Sequence, residues 1–182
     1  MAYFHSTSVV TPLVSSSSPL PATGSLVSVN VEDHRSGVAS YEVGSKYYRA
    51  YEASTIDLAQ RASLAAQVAR DAVAMLRERG YRAQVIRELP ADSADVVVTI
   101  RIDGFNMLFL PGQDVQLEGL FLMDAVWPRD SRRWADAVGA RFESASSFYP
   151  SDAEFQGHFE WLYGTLRAKM RDRIRAGFPR IA

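Results

Sequence analysis

Residues Ile56–Gly80 read IDLAQRASLAAQVARDAVAMLRERG, and Ala94–Phe105 read ADVVVTIRIDGF. In the first stretch Leu58, Ala62, Ala65, Ala69, Ala72, Val73 and Leu76 recur at steps of three and four, one stripe of a helix. Gln60, Arg61, Gln67, Arg70, Arg77 and Glu78 fall on the opposite face. Ser54 or Thr55 is expected to cap the helix, and Asp57 suits the positive end of its dipole. Gly80 supplies the left-handed residue that commonly ends a helix. In the second stretch Ala94, Val96, Val98, Ile100 and Ile102 alternate with polar residues, which predicts a strand half buried on one face. An alanine-rich stripe lets the helix lie close against such a sheet.

Working outward, Leu26–Val31 alternates in the same way and ends at the polar turn Glu32–Gly37. Val38–Ser54 holds Tyr41, Tyr47, Tyr48 and Tyr51, with a short edge strand expected near Lys46–Tyr51. Tyr81–Glu88 reads as the strand after the helix, and Pro90–Ser93 as a turn. Phe105–Leu110 prolongs the next strand to the turn signal Pro111-Gly112. Val115–Trp127 and Arg133–Ser144 complete an antiparallel meander. Ser151 and Glu154 have the spacing of a capping box. Phe155, Phe159, Leu162, Leu166 and Met170 then line a final helix that Gly177 and Pro179 end.

The element order is therefore β-α-β-β-β-β-α, an α+β two-layer sandwich of a mixed sheet with two helices on one face. Residues 1–24, rich in Ser, Thr and Pro, read as a flexible tether, and 25–182 as a single domain.

A net charge of −1 argues against nucleic acid as the main partner. The chain contains no cysteine, which removes disulfides and thiol chemistry. His5, His34 and His158 lack ligand spacing, so no metal and no other cofactor is expected. Asp33-His34-Arg35-Ser36 contains catalytic residue types, but adjacency does not make a triad. It reads as a polar turn; the rival reading is a hydrolase using Asp33 and His34. No catalytic residues are assigned, and the chain is expected not to be an enzyme.

Two surface features stand out. Phe105–Leu110 and Leu120–Met123 are apolar at consecutive positions, so both faces of their hairpin read as apolar. Phe105, Met107, Phe109, Leu110, Leu120 and Leu122 are the candidate partner or lipid contacts. Arg167, Lys169, Arg171, Arg173 and Arg175 make a basic helix end, either a solvated terminus or a surface for an anionic membrane.

The valine strand running into Asp33-x-Arg35, then Val43-Gly44, Arg79-Gly80-Tyr81 and Ala94-Asp95-Val96-Val97-Val98 resemble the YajG-like periplasmic lipoproteins of Gram-negative bacteria. They are also similar to the auxiliary lipoproteins of ABC-type transport systems. The likeness spans residues 26–145. It implies a lipid-anchored, outer-membrane-associated, periplasm-facing domain that is not an enzyme and serves a protein partner in assembly or transport. It departs in lacking a leader and a lipid-bearing cysteine; a chain beginning just after that cysteine would account for both. Two other readings are a lipid or small-molecule carrier, with ligand between sheet and helices, and a cytoplasmic protein-interaction domain.

Overall fold

The computed structural model describes residues 7–9, 24–49, 52–86, 94–110, 114–145 and 151–181. Eight strands and two helices follow one another as β1 (Thr7–Val9), β2 (Leu26–Asp33), β3 (Glu42–Arg49), β4 (Glu52–Leu58), α1 (Leu64–Glu78), β5 (Arg82–Val85), β6 (Val96–Phe109), β7 (Asp114–Trp127), β8 (Arg132–Ala145) and α2 (Asp152–Gly177). All strands join one mixed sheet, and the fold is α+β. The 14-residue β6 is its spine. One side of β6 pairs with β7 and, through it, with β8, antiparallel throughout. The other side takes β2 along Val96–Ile102 and β3 along Met107–Phe109, both parallel. Strand β5 flanks β2, and the β3–β4 hairpin carries β1 on its far edge.

Both helices lie on one face. The stripe of α1, with Val68, Ala72 and Leu76 fully buried, packs on β2 and β5. Phe155, Phe159, Leu162, Leu166 and Met170 of α2 are all buried, and this helix covers β7 and β8. Ser151 caps α2 by accepting the Glu154 N–H at 3.2 Å. The Phe105, Phe159 and Tyr163 rings fill the space between sheet and α2 at centroid distances of 5.7–6.3 Å.

The start of α1 differs from the periodic reading. Ile56 and Leu58 belong to β4 and are buried in the core, and the helix begins eight residues later than expected. Ser63, not Ser54 or Thr55, is the cap and accepts the Ala66 N–H. A 3-10 turn over Ala59–Arg61, with Gln60 and Arg61 at positive φ, separates strand from helix. Leu58 and Ala62 matched the helical step only because a strand followed by a tight turn brings them to the same core. The end is as expected. Gly80 has φ +91°, the Tyr81 N–H reaches the Leu76 carbonyl and the Gly80 N–H the Arg77 carbonyl, a Schellman motif.

Two further differences concern strands. The described part of the tyrosine segment pairs antiparallel as β3 and β4, and β3 is an interior strand between β4 and β6 rather than an edge. Within the stretch expected as a tether, Thr7–Val9 forms β1, parallel to β4, with Val9 fully buried. The turns expected at Pro90–Ser93 and Pro111-Gly112 lie outside the described residues.

Candidate interaction surface

The strictly alternating β6 of the sequence is interrupted by a bulge. Register with β7 shifts between Ile102 and Gly104, so even-numbered residues face the helices before it and odd-numbered residues after it. Phe105, Met107 and Phe109 are therefore core residues, at most 3% exposed, and not contact residues. Leu110 is half-buried at the strand end. Of the six apolar candidates, Leu120 and Leu122 come to the face that the helices leave open. Leu120 is 39% exposed, and Leu122 is half-buried opposite Arg101.

Around Leu120 lies an open groove of about 520 Å³ across β6, β7 and β8. Its floor is Gly104, Leu120 and Gly139, and its rim carries Asp103, Glu118 and Arg141. The register places Leu120 between Gly104 and Gly139. Small residues on both neighbours leave the leucine standing clear of its surroundings. Charges of both signs surround an apolar floor, the composition of an open, solvent-facing surface rather than of a sealed ligand cavity.

The bulge is held from behind. Arg35 is almost buried and makes a bidentate pair with Asp33, at 2.8 and 2.7 Å. It also donates to the Glu42 carbonyl at 2.6 Å and the Phe105 carbonyl at 3.4 Å. Asp33-x-Arg35 is thus a clamp joining the ends of β2 and β3 to β6 just past the bulge. His34 turns away to Glu32 at 2.9 Å on the surface. Asp33 and His34, weighed as a catalytic pair, serve different partners. Among the described residues, no group of three His, Asp or Glu side chains is placed to hold a metal.

The basic residues of α2 do not share one surface. Arg167 and Arg171 reach α1, pairing with Asp71 at 3.3 Å and Glu78 at 3.5 Å. On the opposite flank Lys169 donates to the Gly139 carbonyl at 2.6 Å and Arg173 pairs with Asp136 at 3.5 Å. Arg175 pairs with Asp172. Arg167, Lys169, Arg171 and Arg173 thus brace α2 between its neighbour helix and strand β8.

Sequence reasoning missed a polar knot between the helices. Asp71 is 2% exposed and accepts from the Tyr163 hydroxyl at 2.6 Å; Gln67, 5% exposed, donates to it at 3.5 Å and accepts from Arg70. Burial raises the Tyr163 pKa well above its ordinary value, reinforced by the Asp71 carboxylate. The signal was present: Asp71 directly precedes Ala72 and Val73 of the apolar stripe, and a carboxylate there needs a partner.

No family model matches this sequence, and no curated protein sequence does. Solved structures do match in shape. A Xanthomonas campestris protein described as DUF330 aligns over 95% of each chain at 13% identity, with a TM-score of 0.58. An uncharacterized protein aligns over 94% of this chain and 99% of its own at 14% identity, with a TM-score of 0.53. The lipoprotein GNA1162 of Neisseria meningitidis aligns over 81% of this chain and 99% of its own, at 14% identity and a TM-score of 0.42. This chain shares its fold with the DUF330 protein. No helix among the described residues is long and apolar enough to cross a membrane.

Proposed function

We propose that the protein is a non-enzymatic binding or assembly domain of the bacterial envelope, lipid-anchored on the periplasmic side of the outer membrane, that recognises a protein partner through the open face of β6, β7 and β8. The observation that carries the reading is Leu120, 39% exposed in an open groove across β6, β7 and β8. A large apolar side chain so placed among charges is what a docking site presents. The envelope setting rests on the likeness of Asp33-x-Arg35, Val43-Gly44 and Arg79-Gly80-Tyr81 to YajG-like and transport-auxiliary lipoproteins. The test is co-purification of partners from crosslinked host cells with the wild type and with Leu120→Ser/Leu122→Ser. Loss of a specific partner with an unchanged fold supports the reading; an unchanged partner set refutes it.

A further inference from the structure

Strand β8 is 14 residues long and, among the described residues, pairs only with β7. A long free edge is a template for another strand, and proteins usually blunt it with charges. Here two groups at its centre are occupied from within. The Ala137 N–H donates to its neighbour Asp136 at 2.8 Å, and the Gly139 carbonyl accepts from Lys169 at 2.6 Å. These two show that the odd-numbered backbone groups of β8 point outward. They are also complementary, one donor and one acceptor two residues apart.

We infer that β8 is the site where a second copy of this chain adds its own β8, antiparallel, about a two-fold axis through Val138. The inference rests on the reading of this end of the sheet as an association surface, and names the partner. In that register Ala137 lies opposite the partner's Gly139, and the donor and acceptor held within each monomer bond to each other between copies. Asp136 and Lys169 are then released from the two edge groups, and Asp136 keeps its pair with Arg173. On the open face Arg133 comes opposite the partner's Glu143, which within its own strand pairs with Arg141 at 2.6 Å, and the converse contact forms by symmetry. On the helix-covered face Trp134 comes opposite the partner's Phe142. The register is specific: moving the axis one residue along, to Gly139 or to Ala137, sets Arg133 against Ala145 or against Arg141.

A second observation favours this edge. Trp161 is 41% exposed and lies on Phe142, ring centroids 5.0 Å apart, beside β8. An approaching β8 brings the partner's Trp134 opposite Phe142, the ring that Trp161 lies on. Pairing two sheets through β8 also sets the two Leu120 grooves side by side on one continuous face.

Sedimentation equilibrium of the whole chain from about 1 to 100 μM tests this, the range in which modest interfaces associate. The expected result is a reversible dimer. Arg133→Glu, on an exposed side chain, sets like charges opposite each other twice per dimer and should weaken it at least about tenfold. Arg133→Glu/Glu143→Arg should restore it. A monomer throughout the range overturns the inference, as does an Arg133→Glu variant that dimerises as well as the wild type, or a reversed pair that does not recover. Failure here while Leu120→Ser/Leu122→Ser still loses its partner leaves the proposed function standing. The converse, the expected dimer with an unaffected partner set, removes that function and keeps the dimer.

Discussion

Replacing Asp71 by alanine probes how the two helices are held in register. Asp71 is 2% exposed and lies between α1 and α2. The change removes the acceptor of the Tyr163 hydroxyl, a 2.6 Å bond to a carboxylate. Hydrogen bonds to charged groups contribute about 1.5–3 kcal/mol, and the stranded hydroxyl stays buried. It also removes the Arg167 pair at 3.3 Å. Because the Arg167 side chain is 23% exposed, water compensates much of that loss, and about 0.5–1 kcal/mol is a suitable figure. The sum is about 3 kcal/mol, or a fall in melting temperature of about 6–12 °C for a domain of this size. Urea unfolding followed by circular dichroism measures it. Tyr163→Phe removes the same bond from the other side, so Asp71→Ala/Tyr163→Phe should cost less than the two single changes added together, by about 1 kcal/mol. The reasoning is refuted if Asp71→Ala costs under about 1 kcal/mol, or if the two changes are additive within about 0.3 kcal/mol.

Two further predictions concern one strand and one helix. A methyl group at Gly44 would overlap the Met107 carbonyl and sit 2.8 Å from its Cβ, where β3 runs beside β6. Gly44→Ala should cost about 3 kcal/mol, the upper end of overpacking, because backbone must move; thermal unfolding within about 0.5 kcal/mol of wild type would contradict this. His158 lies against Phe109 and Phe142, at centroid distances of 5.5 and 6.2 Å. Burial lowers its pKa, and the Glu154 charge opposes that only in part. The unfolded chain therefore takes up this proton more readily than the folded one. The stabilisation is complete above the ordinary histidine pKa of about 6.5 and is lost as the pH falls below it. Unfolding free energies at several pH values between 7 and 5 should fall less steeply for His158→Phe than for the wild type; equal slopes would contradict the assignment.

The sequence displayed the layers of this fold more clearly than their seams. The meander, α2 and the glycine end of α1 follow from apolar period, the Ser151 cap and Gly80, all local signals. Strand β4 escaped because Leu58 and Ala62 stand a helical step of four apart and run on into the stripe of α1, and the turn that divides strand from helix uses positive φ at Gln60 and Arg61, residues that do not advertise it. The candidate surface was half legible. Phe105–Leu110 and Leu120–Met123 pointed to the right hairpin, yet a period of two gave no notice of the bulge between Ile102 and Gly104. That bulge sends Phe105, Met107 and Phe109 inward and leaves Leu120 and Leu122 on the open face. Gly104 was its sequence signal. The basic helix end was visible as composition, but its acceptors are distant in sequence: Asp71 and Glu78 on α1, Asp136 and the Gly139 carbonyl on β8. A clamp such as Asp33–Arg35 reads as a polar turn until β3 and β6 are brought beside it.

The central claim is that the open face of β6, β7 and β8 holds a protein partner, and partner capture in crosslinked host cells tests it most directly. The wild type and Leu120→Ser/Leu122→Ser are compared at equal abundance, with circular dichroism and thermal melts confirming the same fold. The account predicts that a specific crosslinked protein recovered with the wild type is lost or falls at least about tenfold with the variant, as for a central contact worth about 1.4 kcal/mol or more. Equal recovery of every crosslinked protein by both would contradict it.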